Sequence, residues 1–209
     1  DSAAVDHLQT AYELASRDGA ARIMLEAKLF LGNTYCNRQD LLNMERHYQV
    51  GKRLAEDSQD ERALRVMGYN TASAWIEVGR YEDAYKWFSA QTSPTLMSLH
   101  KLAICCEKTG RREEALRALD RAAGMDSAEV EHDLAQQLLG LVRYRLEHPD
   151  YLSRDEYGSL LLDCFDRLQS ELPFGYTAFH LPWVLEWYKA TRQYKKACEL
   201  LEKFPAKAL

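Results

Sequence analysis

Proline is scarce in this chain, and runs of β-branched residues that would form strands are absent. Only 5 prolines occur among 209 residues, and between them apolar residues recur at spacings of three and four positions instead of alternating. That spacing places apolar side chains on one face of an α-helix. We therefore predict an all-α fold of about eleven helices, each of the length usual in globular proteins.

Long apolar runs are also missing. Hydrophobic stretches extend over a few positions before Arg, Glu or Asp interrupts them, whereas a membrane-spanning helix needs about 20 apolar residues. The first residues lack the basic start and apolar stretch of a signal peptide, so we predict no membrane contact. Because residue 1 is Asp and not an initiator Met, we expect the chain to be an excerpt of a longer protein.

Cysteine occurs 5 times, and no pair has the C-x-x-C spacing. A zinc site needs paired thiolates or imidazoles, and the 6 histidines are also far apart in the sequence. We therefore predict no metal and no cofactor. Reduced, partly buried thiols are typical of a reducing compartment, so we expect a cytoplasmic location.

The charge and the motifs argue against nucleic-acid binding and catalysis. A net charge of −5 disfavours direct DNA binding by this segment, because such contacts need clustered Lys and Arg. No phosphate-binding loop, H-E-x-x-H or G-x-S-x-G motif is present. The pairs Glu82-Asp83 and Glu113-Glu114 stand in first turns of predicted helices, where they complement the helix dipole. We predict a non-enzymatic protein; the minor alternative is a phosphatase that acts through carboxylates and the segment near His148.

One helix start occurs twice in the sequence. "GRYEDAYKWF" begins at Gly79, and "GRREEALRAL" begins at Gly110, 31 residues later. The alignment pairs Ala84 with Ala115 and Phe88 with Leu119, so a small residue precedes a bulky one by four positions in both copies. "ATRQYKKACELL" near the C-terminus has the same pattern, and "LGNTY" at 31–35 has the pattern of a preceding helix.

These motifs resemble the tetratricopeptide repeat (TPR), whose signature W-x₂-L-G-x₂-Y, then A-x₃-F, lies on two antiparallel helices. The resemblance implies a right-handed α-solenoid of antiparallel helix pairs, with about five divergent repeats. A half repeat would occupy residues 1–19, and the whole repeats would lie near 20–57, 58–92, 93–126, 127–171 and 172–209. Because one repeat cannot bury its apolar face alone, its neighbours must stack on it.

The resemblance also implies a concave groove lined by the first helix of each repeat. In this frame the candidate residues that bind a peptide or partner are Asn33, Asn37, Tyr69, Asn70, Ser73, Glu77, His100, Lys101, Glu107, Phe179, Trp183, Glu186 and Lys189. Arg145 is a further candidate from the fourth repeat. Asparagine suits this role, because its amide offers donors and an acceptor to the backbone of an extended peptide. The alternative is that the asparagines face solvent or bind neighbouring helices.

The densest aromatic stretch lies at residues 171–194. Phe179, Trp183 and Trp187 fall on one helical stripe, and apolar residues occupy the opposite face. Either the stripe packs against preceding helices, or it forms the apolar end of a peptide groove or a dimer contact, where Trp and Tyr concentrate.

Divergent repeats that follow a half repeat also resemble the C-terminal sensor part of Gram-positive helix-turn-helix regulators. That resemblance implies a peptide- or protein-binding module, and more specifically the sensor or dimerisation part of a bacterial transcriptional regulator. A scaffold or adaptor without a regulatory ligand is the alternative. The expected partner is an extended peptide or a partner protein in the groove, with a homodimer as a further partner.

Overall fold

The computed structural model describes residues 2–38, 40–125, 131–171 and 174–204. These residues form eleven α-helices and one short 3₁₀ turn at Tyr151–Ser153, and they contain no β-strand. The helices are α1 Ser2–Asp18, α2 Ala21–Asn37, α3 Leu41–Asp57, α4 Glu61–Glu77, α5 Tyr81–Ser89, α6 Leu96–Lys108, α7 Arg112–Ala123, α8 Glu131–Glu147, α9 Asp155–Glu171, α10 Phe174–Ala190 and α11 Tyr194–Lys203. The predicted all-α fold and helix number are confirmed. Among these ranges, no helix is long and apolar enough to cross a membrane.

The chain divides into two compact units, Asp1–Val78 and Gly79–Leu209. The first unit contains α1 to α4, and the second contains α5 to α11. Within each unit, helices that follow one another in sequence pack together. The boundary falls inside the predicted repeat 58–92, whose helices α4 and α5 belong to different units. The repeat boundaries and the right-handed solenoid path stay predictions.

The core of the first unit forms where α2, α3 and α4 meet. Its fully or almost fully buried residues include Leu25, Met44, Tyr48, Ala55 and Met67. Helices α3 and α4 each start at an aspartate, because the carboxylates of Asp40 and Asp60 accept hydrogen bonds from the backbone N–H three residues on, at 3.1 and 2.9 Å. The apolar faces of three successive helices thus cover one another.

The repeated helix start explains how α5 and α7 begin in the second unit. Gly79 and Gly110 have φ of +78° and +76°, the left-handed conformation that glycine adopts without a steric cost. The small and bulky residues that follow are all buried: Ala84, Phe88, Ala115 and Leu119. The small residue and the bulky residue four positions after it are therefore buried in both copies of the repeated segment.

The two copies also contact each other through their charged residues. The guanidinium of Arg111 donates two hydrogen bonds to the carboxylate of Glu82, at 2.8 and 3.0 Å. The Tyr85 hydroxyl donates to Glu114 at 2.6 Å, and the Arg111 guanidinium lies 4.3 Å from the centre of the Tyr85 ring. Charges of the repeated segment therefore bind one copy to the next.

The main core of the second unit lies among α8, α9 and α10. Its buried residues include Leu138, Tyr157, Leu161, Phe165, Val184 and Trp187. The last helix, α11, has the same sequence pattern as α5 but not the same burial. Tyr194 and Leu201 remain 59% and 38% exposed, because no further helix in the described part of the chain covers this face.

Gly158 and Gly140 form a matched pair for testing this packing. A Cβ atom at Gly158 would overlap the ring of buried Trp187, whereas a Cβ at exposed Gly140 would meet nothing within 4 Å. We expect Gly158→Ala to lower the free energy of unfolding by about 1 to 3 kcal/mol through overpacking. Gly140→Ala should raise it by about 0.5 to 1 kcal/mol, since alanine favours a helix. Urea unfolding measures both, and an equal effect of the two changes would contradict the packing of α9 on α10.

Candidate functional site

Two of the predicted groove residues, Asn33 of α2 and Asn70 of α4, bind each other in the first unit. The amide nitrogen of Asn70 donates to Oδ1 of Asn33 at 3.0 Å and to the hydroxyl of Tyr48 at 2.9 Å. The Tyr48 hydroxyl in turn donates to Oδ1 of Asn33 at 2.5 Å. Three successive helices are thus joined by one closed set of hydrogen bonds. The sequence singled out both asparagines but missed Tyr48.

Tyr48 is fixed in place by its surroundings. Its ring fills the space beside Gly32, where any Cβ would overlap it. Burial raises the pKa of the Tyr48 phenol well above its usual value, so the hydroxyl keeps its proton and remains a donor. The hydrogen-bond directions leave Nδ2 of Asn33 and Oδ1 of Asn70 without a partner among the described residues. Both asparagines are half-buried, and together they offer one donor and one acceptor.

Exposed apolar side chains lie on the same helix as Asn33, with Phe30 one turn and Ile23 about 15 Å before it. Ile23 and Phe30 of α2 are 51% and 53% exposed, and their helical spacing places them on the same face as Asn33 and Asn37. We call this face, with Asn70 of α4, the amide surface. The sequence pattern gave no sign of Ile23 and Phe30 as surface residues, because apolar residues on an amphipathic helix are normally assigned to the core.

The other predicted residues of α4 differ in their exposure. Tyr69 is half-buried, and Glu77 is exposed. Ser73 is buried, and its hydroxyl donates to the backbone carbonyl of Tyr69 at 2.7 Å. The Ser73 hydroxyl therefore forms its hydrogen bond within its own helix and is not available to a ligand. Asn37 is exposed at the end of α2.

In the second unit, Glu107 of α6 and Arg145 of α8 form a buried ion pair. The guanidinium donates two hydrogen bonds to the carboxylate at 2.7 and 2.6 Å, and the two side chains are 14% and 3% exposed. The Tyr157 hydroxyl lies 3.4 Å from Nη1 of Arg145. The ring centre of Trp183 lies 4.0 Å from the guanidinium carbon. Arg145 is thus surrounded by protein and contacts two predicted residues, Glu107 and Trp183, together with Tyr157.

His100, Lys101 and Phe179 are also brought together here, but below the surface. His100 is fully buried, and its ring stacks on that of His180 at a centroid distance of 5.5 Å. The ammonium of Lys101 lies 3.9 Å from the centre of the Phe179 ring. Lys101 and Phe179 are 6% and 9% exposed. These side chains pack between helices instead of lining a surface, because the repeat frame gives a helix face but not how closely the next helix covers it.

The aromatic stripe of α10 is also largely buried between helices. Phe179 and Trp187 are buried, and Trp183 is half-buried against His180 and Arg145. The interpretation that the stripe packs on other helices therefore accounts for most of it. Glu186 and Lys189 are exposed on the same helix. Of the second-unit candidates, only these two are fully accessible.

Two buried thiols of the second unit are held in their protonated form. Burial raises the pKa of the Cys105 thiol to about 12 and that of Cys164 to about 11, so neither is a thiolate near neutral pH. The described residues contain no group of three His, Cys, Asp or Glu side chains that could hold a metal ion. What the amide surface offers is hydrogen bonding beside exposed apolar side chains.

Breaking the buried ion pair tests whether it fixes the helices of the second unit. Glu107→Leu leaves a buried guanidinium without its counter-charge, so we expect a loss of about 3 to 5 kcal/mol in the free energy of unfolding. The double change Glu107→Leu with Arg145→Met should be less destabilising than Glu107→Leu alone. Glu171→Ala removes the more exposed pair with Arg167 and should cost less than about 1 kcal/mol. Urea unfolding of the four proteins measures this; a cost of Glu107→Leu as small as that of Glu171→Ala would contradict it.

The burial of His100 predicts that the fold loses stability in acid. Burial, with the nearby charges of His180, Lys101 and Arg145, holds the pKa of His100 well below its usual 6.5. The unfolded chain then takes up a proton that the folded chain does not, so stability is full above pH 6.5 and falls as pH drops below it. The limit is about 1.4 kcal/mol per pH unit. Between pH 7.5 and 5.5, His100→Leu should flatten the pH dependence of unfolding, while the exposed His7→Leu should not. If the free energy of unfolding changes equally with pH in the wild type and in His100→Leu, this prediction is wrong.

No family model, curated protein or solved structure matches this chain. The resemblance of its motifs to the TPR family stays a prediction. The all-helical architecture of consecutively packed helices rests on the described residues themselves. The amide surface is the part of the structure whose geometry suggests a function.

Proposed function

We propose that this chain is a non-enzymatic helical-repeat module that binds an extended peptide segment on its amide surface. The observation that carries the proposal is the asparagine pair. Nδ2 of Asn33 and Oδ1 of Asn70 offer a donor and an acceptor that no described residue uses. A peptide bond offers the complementary acceptor and donor. The amide surface can therefore bind a peptide backbone regardless of its side chains.

The rigidity of the pair supports binding. Because Tyr48 holds both amides, their orientation is set before a ligand arrives, and less conformational entropy is lost on binding. The buried ring of Tyr48 adds to this, since it cannot turn away. Preorganised polar groups of this kind give affinity that mobile surface amides do not.

Exposed Phe30 and Ile23 provide the apolar part of the same surface. Aromatic and aliphatic side chains next to backbone-binding groups serve as anchors for peptide side chains. A ligand with alternating apolar residues would place one of them against Phe30 while its backbone binds the asparagines. This combination favours a peptide over a small polar molecule.

The more specific role, as sensor or dimerisation part of a bacterial transcriptional regulator in the cytoplasm, depends on the resemblance alone. A helix-turn-helix domain encoded directly upstream would support it. Scaffold proteins without a regulatory ligand would use the same surface. The amide surface is compatible with either role, because both require only that a peptide segment be held.

The test starts from peptides selected on the full chain from a phage-displayed random library. Asn33→Asp keeps the oxygen that accepts hydrogen bonds from Tyr48 and Asn70. It replaces the unused donor, Nδ2, with a second oxygen, which can only accept. We expect it to weaken binding of the selected peptides at least about tenfold, which is about 1.4 kcal/mol. Phe30→Ala should have a similar effect. Isothermal titration calorimetry measures both.

Two matched changes on α9 serve as controls for this test. Gln169→Glu makes the same amide-to-acid change at an exposed position, and Leu160→Ala removes an apolar side chain that is 43% exposed. Both should leave the affinity within about twofold. If Asn33→Asp and Phe30→Ala bind as the wild type does while circular dichroism is unchanged, the proposed surface is wrong.

A further inference from the structure

A second feature of the first unit has the properties of a binding site and lies on the α3 side of Tyr48, the residue that holds the asparagine pair. An open cleft of about 430 Å³ runs between α3 and α4, a size within the usual range of ligand sites. Leu42, Arg46, Gln49 and Lys52 line it from α3, and Trp75 lines it from α4. Tyr48 also lines the cleft, but Leu42, Arg46, Gln49, Lys52 and Trp75 belong neither to the sequence motifs nor to the amide surface.

The charges in the cleft are not balanced. Glu45 accepts a hydrogen bond from the indole nitrogen of Trp75 at 2.8 Å, which engages this carboxylate at the wall of the cleft. Among the described residues, Arg46 and Lys52 have no ion-pair partner. Two cations and one engaged carboxylate leave the cleft with a net positive charge.

An exposed apolar side chain lies on α3 on the N-terminal side of Arg46 and Lys52. Leu42 is 78% exposed, and it precedes Arg46 by four positions on α3, or about 6 Å along a helix. Lys52 follows Arg46 by six positions, or about 9 Å. An extended peptide advances about 3.1 to 3.4 Å per residue. The three side chains therefore match a peptide with an apolar residue, an acid about two residues on, and a second acid about three residues further.

We propose that the cleft between α3 and α4 binds an acidic, extended segment of a partner protein with the pattern Leu-x-Glu-x-x-Glu. The carboxylates of the segment pair with Arg46 and Lys52, its leucine packs on Leu42, and Gln49 binds its backbone. Trp75 provides an aromatic wall. The site shares α4 and Tyr48 with the amide surface, but the side chains that would bind the acidic segment are not part of that surface, so the proposal does not depend on the function proposed there.

The test titrates the full chain with acetyl-Leu-Ala-Glu-Ala-Ala-Glu-amide and follows the indole N–H resonance of Trp75 by NMR. Because that N–H donates to Glu45 at the cleft wall, it reports binding there. Trp75→Phe identifies the resonance among the 4 tryptophans of the chain. We expect saturable shifts that weaken as salt is raised, since exposed ion pairs are screened.

Two variant peptides distinguish the contribution of charge to binding from that of apolar contact. Replacing both glutamates with glutamine keeps the shape and removes the charge, and it should weaken binding at least about fivefold. Replacing the leucine with serine should also weaken it. If the serine peptide binds as tightly as the original, the cleft is a site for carboxylates in general and the peptide proposal is overturned. Equal binding of the glutamine peptide, or no binding of any peptide, also overturns it.

Protein variants complete the test. Arg46→Gln with Lys52→Gln should weaken the acidic peptide at least about fivefold. Arg17→Gln with Arg22→Gln, on α1 and α2, removes the same two charges from exposed sites in the same unit and should leave affinity within about twofold. Asn33→Asp should leave this peptide unaffected, so failure of the amide surface and failure of the cleft give different results. Unchanged affinity in the double variant would contradict the proposal.

Discussion

Hydrogen bonds between polar side chains of different helices fix how those helices meet in each unit. In the first unit, Asn33 and Asn70 bind each other across a separation of 37 residues, with Tyr48 between them. In the second unit, Glu107 and Arg145 do so across 38 residues. A shift of one helix along its neighbour would leave an amide or a guanidinium unsatisfied, at a cost of about 1 to 3 kcal/mol or more. Apolar packing alone would tolerate several such shifts.

The same kind of contact has different consequences in the two units. The ion pair of Arg145 is enclosed by Tyr157 and Trp183 and leaves no group for a ligand. The asparagine pair is half-buried and keeps one donor and one acceptor unused. An amide pair can serve structure and recognition together, because each amide has more hydrogen-bonding groups than its internal partners need. The surface proposed for recognition therefore lies in the first unit.

Much of the fold could be predicted because it depends on local patterns. The helical spacing of Ala84 and Phe88 is typical of a buried helix face, and both residues are buried. Burial of His100 and Lys101 could not be predicted, because it depends on how closely a helix far along the sequence approaches. Asn33 and Asn70 were identified as polar residues on first helices, but their contact with each other requires the rotation of both helices. Phe30 was missed because an apolar residue in a helix is usually in the core.

The most direct test of the account is the NMR response of the side-chain amide groups of Asn33 and Asn70 to a selected peptide. If the amide surface binds the peptide backbone, the N–H₂ resonances of Asn33 shift strongly, because its unused donor gains an acceptor. Those of Asn70 shift less, since its donors stay bound to Asn33 and Tyr48. If a selected peptide binds while the Asn33 resonances do not move, the amide surface is not the peptide site.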